Sequence, residues 1–206
     1  EEMNMLVKAN EFIKRNKDKV NQEFRLNYHY MAPIGWMNDP NGFSFFGNQY
    51  HLFYQSNPYD AKWDCIYWGH ATTKDFIRWK DEEVALAPDQ LYDAKGCFSG
   101  TAMEVEGKHY LIYTAVHKEN NKEYQEQAMA VSDDGINYRK LDCNPVIPND
   151  LLPSTVIPND FRDPKIWIDN GIFHCIVAAK DEKLGARMLL FQSRDLMLWE
   201  LKGDFI

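Results

Sequence analysis

Trp36-Met37-Asn38-Asp39-Pro40-Asn41-Gly42-Phe43-Ser44-Phe45-Phe46 sets one carboxylate among turn-forming residues and runs directly into apolar ones. Asn, Pro and Gly punctuate a backbone and favour tight bends. The stretch therefore predicts a bend over Asn38–Gly42, with a strand opening at Asn41. Asp39 would stand at the mouth of that strand, with Trp36 as an apolar wall. An ionised carboxylate beside an aromatic surface suits the cleavage of a sugar bond. The plain alternative is an aspartate in an ordinary turn. A second motif, Phe161-Arg162-Asp163-Pro164-Lys165, decides between them, because it occupies the same place in a repeat.

Three segments follow one template. Each opens with a short run: Asn41–Phe46, Ser99–Val105 and Pro164–Ile168. A turn and an aromatic-rich strand follow, through Tyr54, Tyr113 and Val177. Each closes with a strand, a Ser or Thr, an acidic turn and an aromatic: Thr73-Lys74-Asp75 to Trp79, Ser132-Asp133-Asp134 to Tyr138, and Ser193-Arg194-Asp195 to Trp199. Matching points recur about every 60 residues, a little longer than the usual propeller blade repeat. Strand-like runs with turn signals about every ten residues fit four-stranded antiparallel blades. The expected fold is thus all-β, with about three propeller blades. Innermost strands line a propeller's channel, so Asp39, Ser99 and Asp163, each opening the first strand of a unit, converge at one end of it. Two converging carboxylates are the minimum for glycoside hydrolysis, one ionised and one protonated.

The 206 residues carry a net charge of −8 with pI ≈ 5.2. No basic stripe exists to neutralise phosphates, which argues against nucleic acid. No apolar run reaches membrane-spanning length, and no signal-peptide pattern opens the chain. Cys65, Cys97, Cys143 and Cys175 are scattered singly, and no Asn-x-Ser/Thr acceptor occurs. Reduced, buried cysteines in a cytoplasmic protein are the expectation. Residues 3–21 place Leu6, Ala9, Ile13 and Val20 at helical spacing, predicting an amphipathic helix that packs on the first unit. Residues 1–27 form this helix and its lead-in, and residues 28–206 form the β domain. Lys118–Glu123 reads as a charged, solvated loop.

With these motifs placed, the chain resembles glycoside hydrolase family 32, the invertases, fructanases and sucrose-6-phosphate hydrolases. Five motifs in order carry the resemblance: Trp36–Gly42, Phe53–Pro58, Trp68-Gly69-His70-Ala71-Thr72, Gly96-Cys97-Phe98-Ser99-Gly100 and Phe161–Lys165. The lead-in Phe24-Arg25 and Tyr28-His29-Tyr30 is most similar to the bacterial sucrose-6-phosphate hydrolases. The resemblance implies a five-bladed propeller followed by a β-sandwich. It implies release of a terminal β-D-fructofuranosyl unit with retention, needing no cofactor or metal. The substrate would be a small sugar: sucrose, sucrose 6-phosphate or a short fructan. Asp39 matches the nucleophile, and Asp163 the carboxylate that stabilises the transition state. Trp36, Met37, Asn38, Gln55, Trp63, Phe98, Ser99 and Arg162 match positions lining the fructosyl pocket. Successive strand residues face opposite sides, so Arg162 and Asp163 can both reach the site only where the strand is irregular.

The family's acid/base glutamate lies in a Glu-Cys motif, and no Glu-Cys occurs in these residues. The expectation is an N-terminal helix with three blades of five, open edges that favour self-association, and an isolated piece with little or no activity. Three other readings remain: a fructosyltransferase with a sugar acceptor, a non-catalytic fructoside-binding propeller, and a structural propeller used for protein contacts.

Overall fold

A computed structural model of the chain describes residues 4–205. It contains one α-helix, α1 (Met5–Asn16), and twelve strands in three four-stranded antiparallel sheets. The first sheet holds β1 (Trp36–Phe46), β2 (Gln49–Asn57), β3 (Tyr67–Thr73) and β4 (Trp79–Asp81). The second holds β5 (Gly96–Val105), β6 (Lys108–Glu119), β7 (Lys122–Ser132) and β8 (Arg139–Lys140). The third holds β9 (Val156–Asp169), β10 (Ile172–Asp181), β11 (Gly185–Ser193) and β12 (Trp199–Asp204). In each sheet the strands pair in chain order.

The repeat extends to single hydrogen bonds. The first hairpin of every sheet turns on two residues with positive φ: Gly47-Asn48, Glu106-Gly107 and Asn170-Gly171. That geometry matches the twist of the flanking strands. After the third strand, the hydroxyls of Thr73, Ser132 and Ser193 accept backbone N–H groups two and three residues on. Asp75, Asp134 and Asp195 do the same for the next two. Phe76, Gly135 and Leu196 then take the left-handed conformation.

Several expectations need correction. The motif Trp36–Gly42 is not a bend ahead of a strand; β1 begins at Trp36 and carries the motif within it. Likewise β5 begins at Gly96 and β9 at Val156, so Ser99 and Asp163 lie inside their strands rather than at their openings. Lys118–Glu123 is no loop: β6 and β7 run to a two-residue turn at Asn120-Asn121, both with positive φ. The helix starts at Met5 and stops at Asn16, followed by a 3-10 turn over Lys17–Lys19, so Val20 lies beyond it; Met3, the first residue of the expected span, lies outside the described residues. Asn4 caps α1 by accepting the Leu6 N–H, and Lys14 and Arg15 suit its negative end. Its apolar side packs on Tyr67 of the first sheet and on Val84 and Ala87 of the segment that follows β4. Of the four free cysteines, only Cys97 and Cys175 are buried; Cys143 is exposed.

Apolar cores fill the spaces between sheets. Phe53 and Trp68 of the first sheet meet Cys97, Leu111 and Tyr113 of the second. Ile112, Met129 and Val131 of the second meet Phe161, Ile166, Phe173 and Phe191 around the third. A fully buried side chain of this size contributes roughly 1.5–3 kcal/mol.

Three histidines are sealed into the first of these seams. His51 Nδ1 lies 3.0 Å from His70 Nε2, and His109 bonds Ser44 Oγ (2.9 Å) and Tyr138 Oη (2.7 Å). Burial pushes all three imidazoles below their usual range, His109 to about 3. The neighbouring His51 lowers His70 and His109 further; Glu82 works against the shift at His51, and Lys80 adds to it at His70. The unfolded chain therefore binds more protons than the folded one once pH drops below about 6.5. The stability the neutral histidines contribute is complete above that pH and is lost as pH falls from there towards 3. Urea midpoints measured from pH 7.5 to 5 are expected to drop, with a shallower slope in a His109→Gln variant. An equal slope in both proteins would contradict this account.

Candidate active site

Each sheet's innermost strand carries a bulge at the same place. In β1, Met37 pairs with Ser56 and Pro40 with Tyr54, so Asn38 and Asp39 stand opposite Gln55 alone. In β5, Phe98 and Ser99 stand opposite Thr114 alone. In β9, Asp163 and Pro164 stand opposite Val177 alone. Such bulges turn a side chain out of the pleat, and here they turn three polar residues toward one place. Proline at positions 40 and 164 lacks the N–H that a regular ladder would need. Asp163 adopts φ +64°, a left-handed conformation that aspartate tolerates better than most residues. Gly100 lets β5 close on β6, since a Cβ there would sit 2.0 Å from the Ile112 carbonyl oxygen.

The bulges meet through hydrogen bonds. Gln55 Nε2 donates to Ser99 Oγ (2.7 Å), and Ser99 Oγ donates to Asp39 Oδ2 (3.0 Å). Asp163 lies near enough to feel the Asp39 charge. Burial raises the Asp163 pKa, Arg162 opposes that rise, and Asp39 adds to it. Arg162 Nε lies 3.9 Å from Asp163 Oδ2, while its Nη1 donates to Asp160 Oδ1 (3.0 Å) and Gln125 Oε1 (3.3 Å). The strand irregularity that neighbouring Arg162 and Asp163 require is therefore present. Trp63, on the loop between β2 and β3, is exposed and meets Phe98 edge-on with centroids 6.4 Å apart. The Phe98 carbonyl is anchored by Trp68 Nε1 (3.0 Å).

Asp39, Gln55, Ser99, Arg162 and Asp163 are thus brought together, with Phe98 and Trp63 alongside. Asn38 shares the β1 bulge and is exposed. Trp36 and Met37 are half-buried and pair with Asn57 and Ser56; among the described residues they make no hydrogen bond to the carboxylates. Among the described residues no group of three or more His, Cys, Asp or Glu could hold a metal ion.

Four residues absent from the expected set lie behind β9. Thr101, Thr114, Gln125 and Gln127 of the second sheet bond its backbone around Asp163. One signal for Thr114 was present in the repeat, where it aligns with Gln55. Chemically the site offers an exposed carboxylate held by a hydroxyl, a second carboxylate balanced by a guanidinium, and an aromatic edge. That set suits a neutral polyhydroxylated ring whose reacting carbon gains positive charge.

Comparison with known proteins finds similarity along most of the chain. Residues 29–206 match the model of the glycosyl hydrolases family 32 N-terminal domain. The sucrose-6-phosphate hydrolase of Bacillus subtilis is 36% identical over 180 residues, covering 87% of this chain and 36% of that protein. The raffinose invertase of Escherichia coli is 38% identical, covering 85% and 36% respectively. Among solved structures, a GH32 beta-fructofuranosidase of Bombyx mori superposes with a TM-score of 0.87 at 36% identity, covering 97% of this chain and 42% of that one. A sucrose-6-phosphate hydrolase from Lactobacillus gasseri gives 0.84 at 29% identity, covering 94% and 39%. The chain therefore spans little more than a third of the length of the curated relatives it matches.

Proposed function

Because this chain belongs to glycosyl hydrolase family 32, we propose that the protein it builds is a retaining glycosidase that releases terminal fructose from sucrose or sucrose 6-phosphate. The observation that carries this reading is the chain of bonds from Gln55 through Ser99 to Asp39, set beside Asp163 and Arg162. Asp39 attacks the anomeric carbon of fructose and forms a covalent ester, and water then releases the sugar with retention. The Ser99 hydroxyl holds one carboxylate oxygen and so fixes the direction of attack. Asp163 binds sugar hydroxyls. A carboxylate made costly by burial and by a like charge gains most from donated hydrogen bonds, and those strengthen as the ring becomes cationic. Trp63 and Phe98 cover the ring.

The acid that protonates the leaving oxygen is a glutamate outside these 206 residues. These residues alone therefore carry little or no hydrolytic activity, since acid help is worth about 10² to 10⁴-fold. Exposed Phe43, Phe45 and Phe76 on the first unit, and Leu184 and Leu198 on the third, support further sheets closing a five-bladed ring. Four free cysteines support a reducing, cytoplasmic setting.

The test is fructose release by the full-length protein from sucrose and sucrose 6-phosphate in parallel. Release from either supports the reading, and the ratio of kcat/KM identifies the preferred sugar. No release from folded protein, on these or on fructans, would leave a binding module as the better account.

A further inference from the structure

The innermost edge of the third sheet is covered by side chains rather than by a strand. At the bulge, the N–H and C=O groups of β9 that face away from β10 would otherwise lack partners, and leaving a buried polar group unpaired is costly. Four side chains of the second sheet supply them. Gln125 Oε1 accepts the Phe161 N–H (3.2 Å), and Gln127 Nε2 donates to the Phe161 carbonyl (3.0 Å). Thr114 Oγ1 accepts the Asp163 N–H (3.1 Å) and donates to Gln127 Oε1 (2.7 Å). Thr101 Oγ1 donates to the Pro164 carbonyl and accepts the Ile166 N–H, both at 3.2 Å. Thr114 and Gln127 are cross-strand partners and fully buried.

The repeat gives this arrangement a meaning. Thr114 stands opposite the β5 bulge as Gln55 stands opposite the β1 bulge. Each reaches forward to the bulge of the next sheet: Gln55 to the Ser99 hydroxyl, Thr114 to the Asp163 N–H. We infer that Thr114 and Gln127 are positioning residues for the reaction. They hold Asp163 in its left-handed conformation and so place its carboxylate against the sugar hydroxyls. Asp163 has no such support from its own sheet, where the residue opposite is Val177. The closed loop of bonds from Asp163 N–H through Thr114 and Gln127 back to Phe161 fixes the turn on both sides of Arg162.

The inference rests on the proposed role of Asp163, and its test separates the two. Thr114→Val keeps the shape and removes the acceptor; Thr114→Ser restores it. Tyr113→Phe, one residue away, deletes a buried hydroxyl bond to Asp93 on the other face of β6 and serves as the control for general destabilisation. In the full-length protein, Thr114→Val is expected to lower kcat about 100-fold, as a misplacement of about 1 Å can do. KM should change far less, Thr114→Ser should recover most of the rate, and Tyr113→Phe should leave kcat intact. A crystal structure of the Thr114→Val protein is expected to show Asp163 out of its left-handed conformation. An unmoved Asp163 in that structure, or wild-type kcat in an active Thr114→Val enzyme, would overturn the inference. A wild-type protein without activity would defeat the glycosidase reading, and the crystal structure would still judge the placement.

Discussion

Asp39→Asn in the full-length protein is expected to reduce fructose release by about 10⁴- to 10⁶-fold, the scale seen when one member of a catalytic unit is removed. The substitution is nearly isosteric. The Asn oxygen can still accept the Ser99 hydroxyl bond that Asp39 Oδ2 accepts at 3.0 Å, so the bulge and its neighbours keep their places. What disappears is the negative charge and the nucleophilic oxygen. A neutral amide neither forms the ester nor stabilises positive charge on the ring. One further effect has a definite sign. The Asp39 charge helps raise the Asp163 pKa, so its removal lowers that pKa. Substrate binding, by contrast, depends on hydroxyl contacts and the Trp63 and Phe98 faces, and is expected to survive. Residual activity within tenfold of wild type would remove Asp39 from the nucleophile's role.

Lys140→Met is expected to cost about 3–5 kcal/mol of folding stability, the scale for stripping one partner from a buried ion pair. Lys140 Nζ reaches Asp93, the Asp89 carboxylate (2.7 Å) and the Ala87 carbonyl (2.6 Å). Asp93 is fully buried and also accepts the Tyr113 hydroxyl (2.8 Å) and the Gln90 N–H (2.9 Å). Burial alone drives the Asp93 pKa up, and Lys140 is the main force against that rise. Without the ammonium, Asp93 keeps an uncompensated charge or takes a proton. Urea unfolding at pH 7 measures the loss, and adding Asp93→Asn to Lys140→Met should recover part of it. A loss under 1 kcal/mol would mean that water reaches the pair.

The repeat was legible because its signals are local. Gly47-Asn48 and Asn170-Gly171 announce tight turns, and the Ser/Thr-x-Asp loops announce the end of each third strand. The meeting of Asp39, Ser99 and Asp163 followed from that repeat. The strand starts were misjudged because Pro40, Gly42 and Pro164 are breaker residues, and here they break the register rather than the strand. Lys140 and Asp93 lie 47 positions apart, and nothing local in either segment points to the other. Apart from the alignment of Thr114 with Gln55 in the repeat, Thr114 and Gln127 were hidden for a different reason. A threonine and a glutamine on neighbouring strands read as ordinary, and only the third sheet shows which backbone they hold.

The bulge in β9 also acts as a frameshift in the backbone. Phe161 and Ile166 are both in the core, and their partners on β10, Ala179 and Cys175, are four residues apart. On β9 the same span takes five residues, an odd number that would send the two side chains to opposite faces of a regular strand. The extra residue restores phase, so the apolar pattern on both sides of Asp163 faces inward. Chain length between Phe161 and Ile166 is therefore as constrained as the identity of any residue within it: an insertion or deletion of one leaves either the core or the carboxylate facing the wrong way.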